Sequence, residues 1–148
     1  YTLPEDHGLA PGDPVHVEID WVRRYRLMRL HFAAEIVLEL VYKHFPGIEK
    51  IGAHIAEDKA RIDFALDENI SKYFDLLGGE ANRIVDADMP IESAFSDEAA
   101  SRRYWKIDGF GKVPCGGTHV KRTGEVGAIS LKRKNIGGGK ERIEVFVA

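Results

Sequence analysis

Apolar and polar positions change period several times along the chain, and each change marks an element. Val15, Val17 and Ile19 alternate with His16, Glu18 and Asp20, the period-2 pattern of a half-buried strand. Past Asp20 the period lengthens. Val22, Tyr25, Met28, Phe32, Ile36 and Leu40 recur at helical spacing, Asp20 stands where a cap belongs, and Pro46 with Gly47 stops the run, so a helix is expected to about Lys43. Two strands over residues 48–55 and 59–66 follow, joined as a hairpin around Glu57 and Asp58. Asp67, Glu68 and Ser71 open a second helix through about Asp86, although Gly78 and Gly79 each weaken its middle by ~1 kcal/mol relative to alanine. A helix start is expected over residues 96–103, with Asp97 and Glu98 in its first turn. Strands are expected near residues 104–107, 127–132 and 142–147. Hairpins dominate and no regular βαβ alternation occurs, which predicts an α+β fold: an antiparallel sheet with packed helices rather than a doubly wound parallel sheet. Pro4, Pro11 and Pro14, with Gly8 and Gly12, make residues 1–14 an irregular lead-in.

At 148 residues the chain has the commonest size of one domain, and 44% hydrophobic with 30% charged residues is enough apolar material for a core. Disordered, collagen-like and disulfide-stapled classes are thereby excluded. Every apolar run is far shorter than the ~20 residues that cross a bilayer, so no membrane span is expected. A single cysteine, Cys115, excludes an intrachain disulfide and fits a reducing compartment, so the cytoplasm is expected. Charge is unevenly spread. Residues 112–148 hold eight basic and three acidic side chains, a balance of +5; the whole chain is −3, which leaves −8 for residues 1–111. A polyanion is therefore expected at the carboxyl-terminal third, with Lys132, Arg133, Lys134, Lys140 and Arg142 as candidate contacts around the Gly137-Gly138-Gly139 loop. The competing explanation is a hairpin tip with solvated lysines.

The segment Val113-Pro-Cys-Gly-Gly-Thr-His-Val120 carries the chemistry. Cys115 and His119 are four apart across a turn that Pro114, Gly116 and Gly117 permit, and a thiolate beside an imidazole suits zinc. Two ligands do not make a site, and a buried thiol near an unrelated histidine is common. The long helix offers a second pair: His31 and Glu35 are one turn apart, on a face that also carries Leu27, Ala34 and Leu38. An unpaired carboxylate inside such a stripe would be costly, so Glu35 either lies at the stripe's edge in water, binds a cation, or makes a salt bridge to Arg24, Lys43 or a neighbouring strand.

Four segments together resemble the alanyl-tRNA editing proteins of the AlaX type. They are Arg26-Leu-Met-Arg-Leu-His-Phe-Ala-Ala-Glu35, the stretch from Lys50-Ile-Gly to Ile62-Asp-Phe64, the Cys-Gly-Gly-Thr-His run, and Gly137-Gly-Gly-Lys-Glu-Arg-Ile143. These free-standing proteins are related to the editing domain of alanyl-tRNA synthetase, which threonyl-tRNA synthetase shares. The resemblance covers about residues 15–148. It implies a two-layer editing-domain architecture over residues 21–148, with residues 1–20 as a lead-in or the remnant of an amino-terminal domain. It also implies hydrolysis of mischarged alanine tRNA, seryl- or glycyl-tRNA, and a zinc cofactor held by His31, Glu35, Cys115 and His119. His31 and Glu35 are its candidate catalytic residues.

Two positions depart from the family's pattern: Glu35 replaces the second helical histidine, and Phe32 replaces a threonine that often follows the first. Glutamate can ligate zinc, but with Cys115 it makes the ligand set more negative. Alternatively His31, Cys115 and His119 form a three-ligand site with water in the fourth position, and Glu35 accepts that water's proton. The missing threonine hydroxyl leaves the amino-acid preference open. A rival function is a non-catalytic, zinc-containing tRNA-binding module. His7, His16, His44 and His54 are read as surface or packed histidines, with His54 also considered as a substitute ligand.

Overall fold

A computed structural model describes residues 3–148; residues 1 and 2 of the lead-in lie outside the described residues. Helix α1 spans Trp21–His44, and Asp20 caps it by accepting from the Arg23 amide at 3.0 Å, as the cap residue suggested. Strands β1 (Glu49–Ile55) and β2 (Ala60–Ala65) form the expected hairpin. A short 3-10 turn, Ile70–Tyr73, leads into α2 (Phe74–Asp86). Its cap is Asn69, whose side chain accepts from the Ser71 amide at 2.9 Å, so the helical segment begins slightly later than Asp67 suggested. Then come β3 (Glu92–Asp97), β4 (Arg102–Ile107), β5 (Gly111–Pro114), a 3-10 turn at Thr123–Val126, β6 (Ile129–Asn135) and β7 (Lys140–Val147).

All pairings are antiparallel. They build a four-stranded sheet in the order β1-β2-β7-β6 and a three-stranded sheet in the order β3-β4-β5. One face of the larger sheet is closed by the helices. Leu30, Ile36 and Leu40 of α1 are buried with Ile62 and Phe64 of β2 and with Ile143 and Val145 of β7, so the core lies between helix layer and sheet. The α+β two-layer expectation holds.

Two local expectations fail. Residues 15–20 form no strand: Val15, Val17 and Ile19 are more than half exposed, because alternation makes a strand only where a neighbour accepts its ladder and its apolar side. Residues 96–103 form no helix either. They hold the end of β3, a turn in which Ser101 has φ +52°, and the start of β4. Asp97 accepts from the Ala100 amide at 3.0 Å, the same side-chain-to-backbone bond that caps a helix, used here to close a hairpin.

Candidate metal centre

The site forms where α1 meets the loop leaving the smaller sheet. His31 and Glu35, one turn apart, project from the same face of α1, with side chains 20% and 17% exposed. Cys115 follows β5 directly, and its amide donates to the Arg103 carbonyl at 3.0 Å, extending the β4–β5 pairing by one residue. Four residues on, the chain has turned back and His119 faces the same point. The donor atoms of His31, Cys115 and His119 all lie within 4.8 Å of one another. The Cys115 sulfur is 3.6 Å from His31 Nε2 and 3.3 Å from His119 Nε2.

These separations can be tested against a metal. Zinc–nitrogen bonds of ~2.05 Å and zinc–sulfur bonds of ~2.3 Å at a tetrahedral angle put N and S ~3.6 Å apart. A soft sulfur and two imidazoles at nearly that spacing fit zinc. The His119 imidazole is also in the right state: burial first, and then His31 nearby, lower its pKa to about 4, so the ring is neutral at pH 7. Burial pushes the Cys115 thiol up, which keeps it protonated until a cation draws it to the thiolate.

Glycine is required at one point of the loop. A Cβ on Gly117 would sit 2.2 Å from His31 Cε1, so the loop closes on the imidazole only because that position has no side chain.

Glu35 stands beside the three donors. Its Oε1 lies 3.4 Å from His31 Nε2, while its Oε2 accepts from the Trp105 indole at 2.9 Å. Burial pushes this carboxyl up, but the bonds from His31 and Trp105 outweigh it and leave the pKa below the ordinary value. The alternative partners Arg24 and Lys43 are engaged elsewhere: Arg24 donates to the Thr118 hydroxyl at 2.5 Å and Lys43 to Glu80 at 2.9 Å. Phe32 is fully buried, edge-on to Trp105 at 5.2 Å and to His119 at 5.5 Å, so it supports the site from behind.

Two cavities flank His31. One of about 420 Å³ is lined by Arg24, Leu27, Met28, Ile55 and Thr118 as well as His31 and Gly117. The other, about 300 Å³, contains Glu35, Lys50, His54 and Arg61. His54 borders the same cavity as Glu35 without joining the three donors. Two contributors escape a reading of the sequence: Trp105, seventy residues from the carboxylate it holds, and Ser93, whose hydroxyl is 3.0 Å from His119 Nδ1. Neither lies in a motif, and only the pairing of β3 with β4 brings them in.

The five basic candidates divide. Arg133 grips Glu141 with two bonds of 2.5 and 2.6 Å, and Arg142 grips Asp63 with two of 2.6 and 2.9 Å. Lys132, Lys134 and Lys140 are exposed.

Residues 105–144 match the family described as the threonyl and alanyl tRNA synthetase second additional domain. The chain is 36% identical over 151 residues to the alanyl-tRNA editing protein AlaX-M of Pyrococcus horikoshii, covering 99% of this chain and 68% of that protein. It is 35% identical over 163 residues to AlaX-M of Saccharolobus solfataricus, covering 97% and 68%. Similarity extends to the alanine–tRNA ligase of Methanopyrus kandleri, 33% identical over 153 residues, where 89% of this chain matches 17% of the ligase.

Proposed function

The chain belongs to the family of alanyl-tRNA editing proteins, and from that membership we propose that it is a trans-acting aminoacyl-tRNA deacylase of the cytoplasm, which removes serine or glycine from mischarged alanine tRNA. The observation that carries this reading is the convergence of His31, Cys115 and His119 from two distant parts of the chain. The need for such an enzyme is physical. A synthetic pocket cannot strongly reject an analogue that merely adds a hydroxyl or loses a methyl, so a second, hydrolytic sieve is required.

His31, Cys115 and His119 would hold zinc, and Glu35 is left beside them as a base rather than a fourth ligand. Zinc bound there supplies a Lewis acid for the ester carbonyl and for water. The other duties fall to the chain itself. The Glu35 carboxylate, ionised at neutral pH, offers Oε1 to the proton of the attacking water, and Trp105 fixes its plane through Oε2. The two cavities on either side of His31 offer space for the aminoacyl group and the terminal ribose.

The test is release of amino acid from seryl-, glycyl- and alanyl-tRNA, with and without a chelator. Chelator-sensitive release of serine or glycine, with alanine spared, is expected. Release no faster than the spontaneous rate would leave a tRNA-binding module without chemistry.

A further inference from the structure

We propose that the open face of the four-stranded sheet, turned away from the helices, is the track along which the single-stranded end of the RNA reaches the metal centre. Alternation along the strands puts Ile62 and Ile143 into the core and their neighbours outward. Cross-strand register then sets the outward residues in rows. His54, Arg61, Glu144 and Lys132 form one row across β1, β2, β7 and β6; Gly52, Asp63, Arg142 and Lys134 form the next. Lys59 adds a further cation through its 2.8 Å bond to Glu144.

This pair of rows, with Lys59, carries five cations, Lys59, Arg61, Lys132, Lys134 and Arg142, against two carboxylates, Asp63 and Glu144. Its balance is +3 on a protein whose total is −3. Both carboxylates are already matched: Asp63 by Arg61 and Arg142, Glu144 by Lys59. Lys132 and Lys134 have no carboxylate within ion-pair distance among the described residues, so their charges are free for phosphate. Phe146, outward on β7, lies between Lys59 and Lys132, whose ammonium groups are 5.9 and 5.1 Å from its ring; such a ring is a stacking surface for an unpaired base.

The face leads to the chemistry. His54 and Arg61, at one end of the first row, also line the cavity that contains Glu35 and His31. From β6 to β1 the row crosses three strand spacings, ~14 Å, which suits a few unpaired nucleotides rather than a whole stem. The proposal rests on the deacylase reading only for the identity of the RNA.

The test measures binding of uncharged tRNA across a salt series, which requires no chemistry. Lys132→Ala/Lys134→Ala should lower the slope of log affinity against log salt by ~1.4 and weaken binding at least tenfold near physiological salt. Lys43→Ala/Lys72→Ala, the same loss of two charges on the helical side, should leave slope and affinity at wild-type values. A wild-type slope in the first variant, or an equal drop in the second, overturns the track. Because deacylation is assayed separately, an inactive wild type whose tRNA binding still depends on Lys132 and Lys134 would refute the deacylase reading and keep the track.

Discussion

The two glycines between Cys115 and His119 are chemically identical and should behave oppositely when changed to alanine. Neither has a positive φ, so an alanine backbone is tolerated at both. They differ in what a methyl group would meet. At Gly116 nothing lies within 4 Å, whereas at Gly117 the new Cβ falls 2.2 Å from His31 Cε1 and 2.9 Å from Nδ1. Ordinary contact begins at 3.4 Å, so the ring and the loop must separate by 1.2 Å. The ring has little room to move, since His119 stacks on it with centroids 5.2 Å apart. Metal sites tolerate ligand displacements of only ~0.2 Å, so the change exceeds the tolerance about sixfold. Disturbing a residue that merely supports a ligand costs up to ~100-fold in metal affinity, and displacing the ligand itself should cost more. Zinc affinity measured by competition with a chromophoric chelator should therefore fall more than ~100-fold in Gly117→Ala. Gly116→Ala should bind zinc like the wild type and gain ~0.4–1 kcal/mol of stability from a less flexible unfolded chain. Undiminished zinc affinity in Gly117→Ala would refute the placement of His31 as a ligand.

Other perturbations test the surroundings. Glu35→Ala should retain stoichiometric zinc in metal analysis, because the three remaining donors already converge; loss of the metal would make Glu35 a ligand. Phe32→Thr should cost ~3 kcal/mol in urea unfolding, since the ring is fully buried and a hydroxyl there would lack a partner. Arg133→Met should cost about 3 kcal/mol, because the Glu141 side chain is only 4% exposed and would lose its counter-ion, and Arg133→Met/Glu141→Leu should recover most of the loss. Arg133, against the effect of burial, holds the Glu141 carboxyl below its ordinary pKa. A depressed carboxyl stabilises fully above its unfolded pKa and less as pH falls through the folded value. Without Arg133, burial leaves the variant's Glu141 carboxyl raised, so the gap between wild type and Arg133→Met should narrow as pH falls from that raised value to the lower wild-type one, and a constant gap would refute the ion-pair origin.

What the sequence discloses depends on how local the cause is. The cap at Asp20, the helical period and the stop at Pro46 all act within a few residues, so α1 is legible almost to its ends. The same holds for the β1–β2 hairpin. Strands β3 and β5 are another matter. Glu92–Asp97 is largely exposed and Gly111–Pro114 has four residues, so neither has an apolar pattern of its own; each exists as a strand by pairing with β4. The error over residues 96–103 has the same origin, because an aspartate that can cap a helix can equally close a turn, and only the ladder beyond it decides.

The candidate site divides along the same line. His31 with Glu35, and Cys115 with His119, are each four residues apart, so each pair is visible as a spacing; their meeting is a tertiary fact, which only the family resemblance anticipated. Sequence gives the sign of a charge but not its partner. Arg133 and Arg142 look as free as Lys132 and Lys134 until register sets Arg142 opposite Asp63 and leaves Arg133 within reach of Glu141. The consequence is a division of labour on one hairpin. The arginines, whose planar forks suit carboxylates, are held in two-bond pairs that fix the sheet, while the lysines alternating with them keep their charge in solvent. Replacing Lys132 and Lys134 by alanine should therefore change RNA binding and leave folding intact, whereas replacing Arg133 or Arg142 should register first in stability.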